Sequence, residues 1–276
     1  MADTVTDTAS TRRATTRYRP RTGLGWLWLP LALCALFLYI PIAVLVGMSF
    51  NDGGSAFSWD GFSFRWYAEL AGDEVLRQSV LTSLMIAAGA TVVATVLGTL
   101  LGVGLARHTR SKALETAAMA PAILPDLVLA IGLLAFFFVA GIPKSALTIL
   151  LAHAAFGTAF VVAVVRARLT GSDASLEEAS RDLGAGGFTT FVQVTLPSIA
   201  PAVVAGALLV FTLSLDEFVI AYFTAGPTTH TLPITVYSMV RTGVTPEINA
   251  LATVLVAISV VVVVVAARAV RRTEKS

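Results

Sequence analysis

The sequence predicts an all-α, polytopic membrane protein with six transmembrane helices, and three observations carry that prediction. Of 276 residues, 56% are hydrophobic and 13% charged, with a mean hydropathy of +0.82; a soluble domain of this size carries roughly twice that charge. Apolar runs of membrane-crossing length recur six times. Basic residues sit beside the ends of these runs rather than in one patch, so the pI near 8.9 speaks for membrane topology and against nucleic-acid binding.

Residues 1–23 are rich in Ser, Thr and Arg, with Arg12, Arg13, Arg17, Arg19 and Arg21, and predict a disordered basic tail. The following run, Leu24 to Met48, is too long for a signal-peptide core and lacks a convincing cleavage site. It reads as a retained first span containing Pro30, Cys34 and Pro41. Cys34 is the only cysteine, so no disulfide or thiolate cluster is available within the chain. Asn51 to Arg77 reads as a loop whose segment Phe62 to Tyr67 is aromatic and amphipathic, suited either to the outer interface or to a small packed cap over the helix ends.

The second span lies within Ser79 to Ala106, where Gly89, Gly98, Gly102 and Gly104 offer small faces for close packing. The third lies within Thr116 to Ala140 and carries Pro121, Pro125 and Asp126. After the turn Gly141 to Lys144, the fourth covers Ser145 to Val165 with His153 inside it. The fifth covers about Ser198 to Phe223, and the sixth about Ile248 to Ala267 after a loop from Thr224 to Glu247. The membrane-spanning body is thus 24–270, with a second basic tail at 271–276.

The longest polar-to-mixed stretch in the last two thirds of the chain runs from Leu176 to Pro197, within a loop spanning 170–197. Ser175 and Glu178 have the spacing of a capping box opening a short helix. Gly184, Gly186 and Gly187 allow a turn or a close approach. Phe188 to Val194 can form a second short helix, and Pro197 suits the start of the next long one. Glu178-Ala179-Ser180, three residues, Gly184, nine residues, Val194, one residue, then Leu196-Pro197 resembles the EAA motif of ABC-importer inner-membrane permeases, the MetI-like family. Ser180 stands for the second Ala and Val194 for an Ile. The resemblance implies that this loop is cytoplasmic and couples to a separate ATPase subunit through Glu178, Ala179, Ser180, Gly184, Val194, Leu196 and Pro197.

Charge agrees with that orientation. Residues 1–23 carry +3, 107–115 +2, 166–197 −1 and 268–276 +3, together +7; residues 49–77 carry −3, 141–144 +1 and 224–247 zero, together −2. The positive-inside rule places both termini and the Glu178 loop in the cytoplasm.

No GxxxxGK[ST] phosphate loop and no HExxH occurs, so any ATP hydrolysis belongs to a partner and no metal site is expected. His108 and His230 read as solvated residues, and His153 as a hydrogen-bonded residue between helices. Asp126, Asp216 and Glu217 are costly if they face lipid. Asp216 stands 19 residues after Pro197, about 28 Å along a helix. The three acids therefore form a candidate substrate path for a cation, with a structural acid pair at a helix break as the alternative.

Over about 24–270 the resemblance narrows. Phe211 to Phe218 (FTLSLDEF), Gly226-Pro227, Leu232-Pro233, Tyr237 to Ala250 (YSMVRTGVTPEINA), Pro125-Asp126 and Phe64 to Tyr67 are similar to the PotC-type permeases of spermidine/putrescine importers; Glu217 stands where those permeases often have a second Asp. The resemblance implies a non-enzymatic transport subunit without a cofactor, in the bacterial cytoplasmic membrane. It also implies a homologous second permease, two ATPase copies and an extracytoplasmic solute-binding protein as partners. A permease for another small solute, such as an amino-acid derivative or ferric ion, and a non-transport membrane scaffold are the alternatives.

Overall fold

A computed structural model describes residues 26, 28–55, 58–109, 111–172, 174–243 and 245–273, with side chains as far as residue 261. The basic segment 1–23 and residues 274–276 of the second tail lie outside the described residues. The described chain is all-α. Its helices are α1 (Trp28–Met48), α2 (Arg65–Gly72), α3 (Glu74–Arg107), α4 (Lys112–Ile123), α5 (Asp126–Val139), α6 (Ala146–Thr170), α7 (Ser175–Asp182), α8 (Gly187–Thr190), α9 (Leu196–Asp216), α10 (Val219–Thr224), α11 (Leu232–Thr242) and α12 (Pro246–Thr273). A π-helical turn, Phe191–Thr195, joins α8 to α9 without a break in the helical path.

The core is built by α3, α6 and α9, which pack on one another. Small residues set their spacing, because in a bilayer close van der Waals fit replaces water exclusion as the main packing force. A methyl at Gly98 would stand 2.5 Å from Val161 Cβ, and one at Gly157 would stand 2.5 Å from Val210 Cγ1. Val103, Val161, Val165, Leu169, Ile199 and Val210 fill the space beside these contacts. A second cluster joins Ala130 and Phe137 of α5, Ala152 and Phe156 of α6, and Ile220 of α10. His153 bridges α6 and α9 through a 2.7 Å hydrogen bond between its Nδ1 and Ser214 Oγ, as a buried imidazole between helices should. His108 and His230 are exposed.

Among the described residues four helical stretches are long and apolar enough to cross a membrane: α1, α3, α6, and α8 through α9. Two of the six expected spans depart from straight helices. The third bends by 110° between α4 and α5. Pro125 drives this: a residue before proline is pushed out of the α region, and Leu124 accordingly has ψ 142°. The fifth span ends at Asp216 instead of running to Phe223, since Glu217 adopts ψ 107° before α10 begins. The sixth expected span corresponds to α12, whose apolar stretch is Pro246–Val261 among residues with described side chains.

Several boundaries also differ from the expected ones. Helix α3 starts at Glu74, inside the expected outer loop, because Asp73 caps it by accepting from the N–H groups of Val75 and Leu76. Within that loop, Phe50, Phe62, Phe64 and Tyr67 stack into one cluster, and Trp66 Nε1 donates to Asn51 O at 2.9 Å. The segment is a packed cap, while Phe62 and Phe64 stay exposed as interface residues do. The loop after α10 contains α11.

Candidate functional site

Two regions concentrate polar side chains beside exposed apolar or aromatic ones. The first is the stretch from α7 to the start of α9. Helix α7 begins at Ser175 with Ala174 as its cap, so Ser175 is the first helical residue and the expected capping box does not form. Glu177 and Glu178 in the first turn favour the positive end of the helix dipole. The helix ends in a Schellman motif: Gly184 N–H donates to Arg181 O at 2.9 Å, and Ala185 N–H to Ser180 O at 3.1 Å. That motif requires a left-handed residue after the cap, and Gly184 supplies φ +87°. Ser180 Oγ lies 3.1 Å from Thr190 Oγ1, holding α7 against α8.

The motif residues divide by face. Ser180, Val194 and Leu196 are half-buried, and Leu196 packs on the α3–α6–α9 core. Glu178, Ala179 and Pro197 are exposed, together with Leu176, Leu183 and Phe188. Leu183 is 90% and Phe188 81% exposed. Glu177, between these residues in sequence, points inward and pairs with Arg107 at 3.2 Å.

The second region is where the two helix breaks meet. Helix α5 starts at Asp126 just after its break, α10 starts at Val219 just after the other, and α5 and α10 pack together. The packing of α5 on α10 thus brings the break that carries Asp126 beside the break that carries the neighbouring pair Asp216 and Glu217. Glu217 is half-buried and accepts a 2.9 Å hydrogen bond from Ile220 N–H, so it also holds the first turn of α10. Asp126 and Asp216 are exposed.

Beside the acids stands a ring cluster to which sequence reasoning assigned no role. Phe218 lies 4.8 Å from Tyr237 and 5.4 Å from Tyr222, and the two tyrosines are 5.7 Å apart between centroids. Tyr222 and Tyr237 remain close to half exposed. The i, i+4 spacing of Phe218 and Tyr222 could have shown the first pair, but Tyr237 comes from α11 and joins only through the fold. Acids and exposed aromatic faces together make a place that a desolvated cation can occupy. No group of three His, Cys, Asp or Glu side chains among the described residues is arranged to hold a metal ion.

Residues 94–276 match the family described as binding-protein-dependent transport system inner membrane component. The chain is similar to the putrescine transport system permease protein PotI of Escherichia coli (strain K12), at 45% identity over 239 residues, which is 83% of this chain and 85% of that one. It is similar to the spermidine/putrescine transport system permease protein PotC of Haemophilus influenzae, at 41% identity, covering 83% of this chain and 90% of that one. Among solved structures, a bacterial ABC transporter involved in the import of the acidic polysaccharide alginate shares the fold, with a TM-score of 0.67 at 16% identity over 93% of this chain and 99% of that one.

Proposed function

This chain belongs to the binding-protein-dependent transport system inner membrane components, the ABC-importer permeases, and on that premise we propose that it carries polyamines and forms half of their translocation path. As a member it is a membrane-embedded transport subunit without catalytic chemistry of its own. The observation that supports polyamine cargo is the meeting of two helix breaks lined by Asp126, Asp216 and Glu217 and flanked by Phe218, Tyr222 and Tyr237. Non-helical backbone at membrane depth is tolerated where it lines a cavity, and discontinuous helices place substrate sites in many transporters. A polyamine is a flexible polycation that must exchange water for acids, dipoles and ring faces wherever it sheds its hydration. Relatives at 41–45% identity whose names carry putrescine or spermidine support the same cargo.

The full assembly in this proposal has a homologous second permease, two ATPase copies and an extracytoplasmic binding protein. The stretch from Leu176 to Pro197 docks the ATPase through Leu176, Glu178, Ala179, Leu183 and Phe188. Counting the bent α4–α5 pair as one span and α12 as another gives six spans, with both termini in the cytoplasm and the Phe62–Tyr67 cap outside. Glu217 has a second role supported by its bond to Ile220: it shapes the break as well as facing the path.

The test is uptake of radiolabelled spermidine and putrescine into proteoliposomes holding the whole transporter, its binding protein and internal ATP. ATP-dependent uptake of either amine is the expected result. No uptake of either, together with no amine binding by the cognate binding protein, would remove polyamines as cargo while leaving the permease role intact.

A further inference from the structure

Arg107 ends α3 and ties it to two other parts of the chain. Its Nε donates to Glu177 Oε1 of α7 at 3.2 Å, and its Nη2 donates to Ser172 Oγ at 3.0 Å, just past the end of α6. Ser172 Oγ in turn donates to Leu169 O at 3.0 Å. Glu177 is the only buried Asp or Glu among the described residues. The side chains of the pair are 18% and 10% exposed.

A pair this deep is a poor means of adding stability, because desolvation offsets most of the attraction, while loss of either partner strands a buried charge. An apolar residue at 177 would attach α7 to the body equally well. What the charged pair adds is direction: a guanidinium fork holds a carboxylate in few geometries.

The far end of α3 is tied as specifically. Ser79 Oγ lies 2.7 Å from Thr235 Oγ1, and Ser83 Oγ accepts from Leu232 N–H at 2.8 Å; both partners belong to α11, which carries Tyr237. Helix α3 is 34 residues long, about 50 Å at 1.5 Å per residue, and contains no proline. It is therefore one unbroken rod between the docking helix and the aromatic ring cluster, in a protein whose α4–α5 and α9–α10 paths are both interrupted.

We propose that Arg107 and Glu177 are positioning residues for energy coupling: their ion pair, braced by Ser172, is the joint through which displacement of α7 by the ATPase is passed to α3 and on to α11 and Tyr237. The proposal rests on the docking role given to α7 above. The contact does not touch solute or nucleotide. Its loss uncouples the two events and leaves each able to occur.

The experiment uses the complete transporter in proteoliposomes, with radiolabelled spermidine as probe, and compares Glu177→Gln, Arg107→Gln and the exchanged pair R107E/E177R with the parent. Three quantities are read: ATPase subunits bound per permease, ATP hydrolysed, and spermidine carried per ATP. Both single variants are expected to keep ATPase binding and hydrolysis, while spermidine per ATP falls at least about fivefold, the lower end of typical coupling between sites. The exchanged pair should recover spermidine per ATP to within about twofold of the parent. An unchanged ratio in E177Q, which is isosteric and keeps a hydrogen-bonding oxygen, overturns the proposal. So does a loss of assembled complex with the ratio per complex unchanged, or an assembled exchanged pair that shows no recovery. L183E/F188E on the outer face of α7 separates this from the docking role: full ATPase binding by that variant sinks the docking role itself, whereas lost binding there with an unaltered ratio in E177Q sinks the ion-pair joint alone.

Discussion

The docking stretch and the acidic break use polar residues in opposite ways. From α7 to α9 the key features are local: a helix of eight residues closed by a Schellman turn at Gly184, with apolar side chains facing outward. At the break, the features depend on partners far along the chain: α5 packs on α10, and Phe218 meets Tyr237. In the proposed function the first region presents a rigid surface to another protein. The second assembles a lining from α5, α9, α10 and α11. A change in the first should therefore disturb energy supply with solute capture intact, and a change in the second should disturb solute passage with the ATPase still responsive.

The largest effect should come from the outward apolar residues. L183E/F188E places two carboxylates where a partner would bury Leu183 and Phe188. Each side chain contributes about 1.5–3 kcal/mol when fully buried, so ATPase binding by co-purification and titration should weaken roughly a hundredfold. Spermidine binding by the cognate binding protein should not move. Near-normal ATPase affinity would erase the distinction between the two regions.

Gly184→Arg tests the same surface through its backbone. There is open space for a side chain at Gly184, so no clash within the chain is expected. The left-handed φ of +87° instead costs an L-residue about 1–2 kcal/mol, and the added bulk and charge obstruct close approach. The permease should still reach the membrane, with stimulated ATPase activity down about tenfold. Normal stimulation and uptake in G184R would rule out close contact there.

Effects at the break should be smaller and should follow the charge of the solute. D216N/E217Q is expected to lower spermidine uptake per assembled complex about fivefold, with putrescine affected less and binding-protein capture unchanged; exposed charge contacts are each worth roughly 0–1 kcal/mol. A drop in assembled complex with unchanged turnover per complex would mean that the acids only shape the α9–α10 break. Tyr237→Ala removes one ring face and should cost about two- to fivefold, in keeping with 0.5–1 kcal/mol for an exposed cation–π contact. Tyr237→Phe should retain most uptake; equal losses in the two variants would argue against a ring-face contact. In both cases ATPase stimulation should persist, which is the sharpest contrast with the docking variants.

Sequence by itself determined the all-α membrane class, because apolar runs and sparse charge are properties of composition and length that no tertiary contact can reverse. It determined the local geometry from α7 to α9 for a similar reason: a glycine that must take φ +87°, and the small helices around it, are specified by neighbours in the chain. The bend at Pro125 was also legible as a proline inside an apolar run, although its 110° angle was not. Tertiary structure decided the rest. No proline or glycine marks the break at Glu217, where a carboxylate bonding to Ile220 N–H replaces helix continuation. Tyr237 joins Phe218 through the packing of α11, which Ser79 and Ser83 bond to α3. Glu177 and Glu178 are adjacent acids with the same intrinsic chemistry. One is buried against Arg107, 70 residues away, and the other is exposed, because successive side chains of a helix point about 100° apart and only the fold decides which direction faces the core.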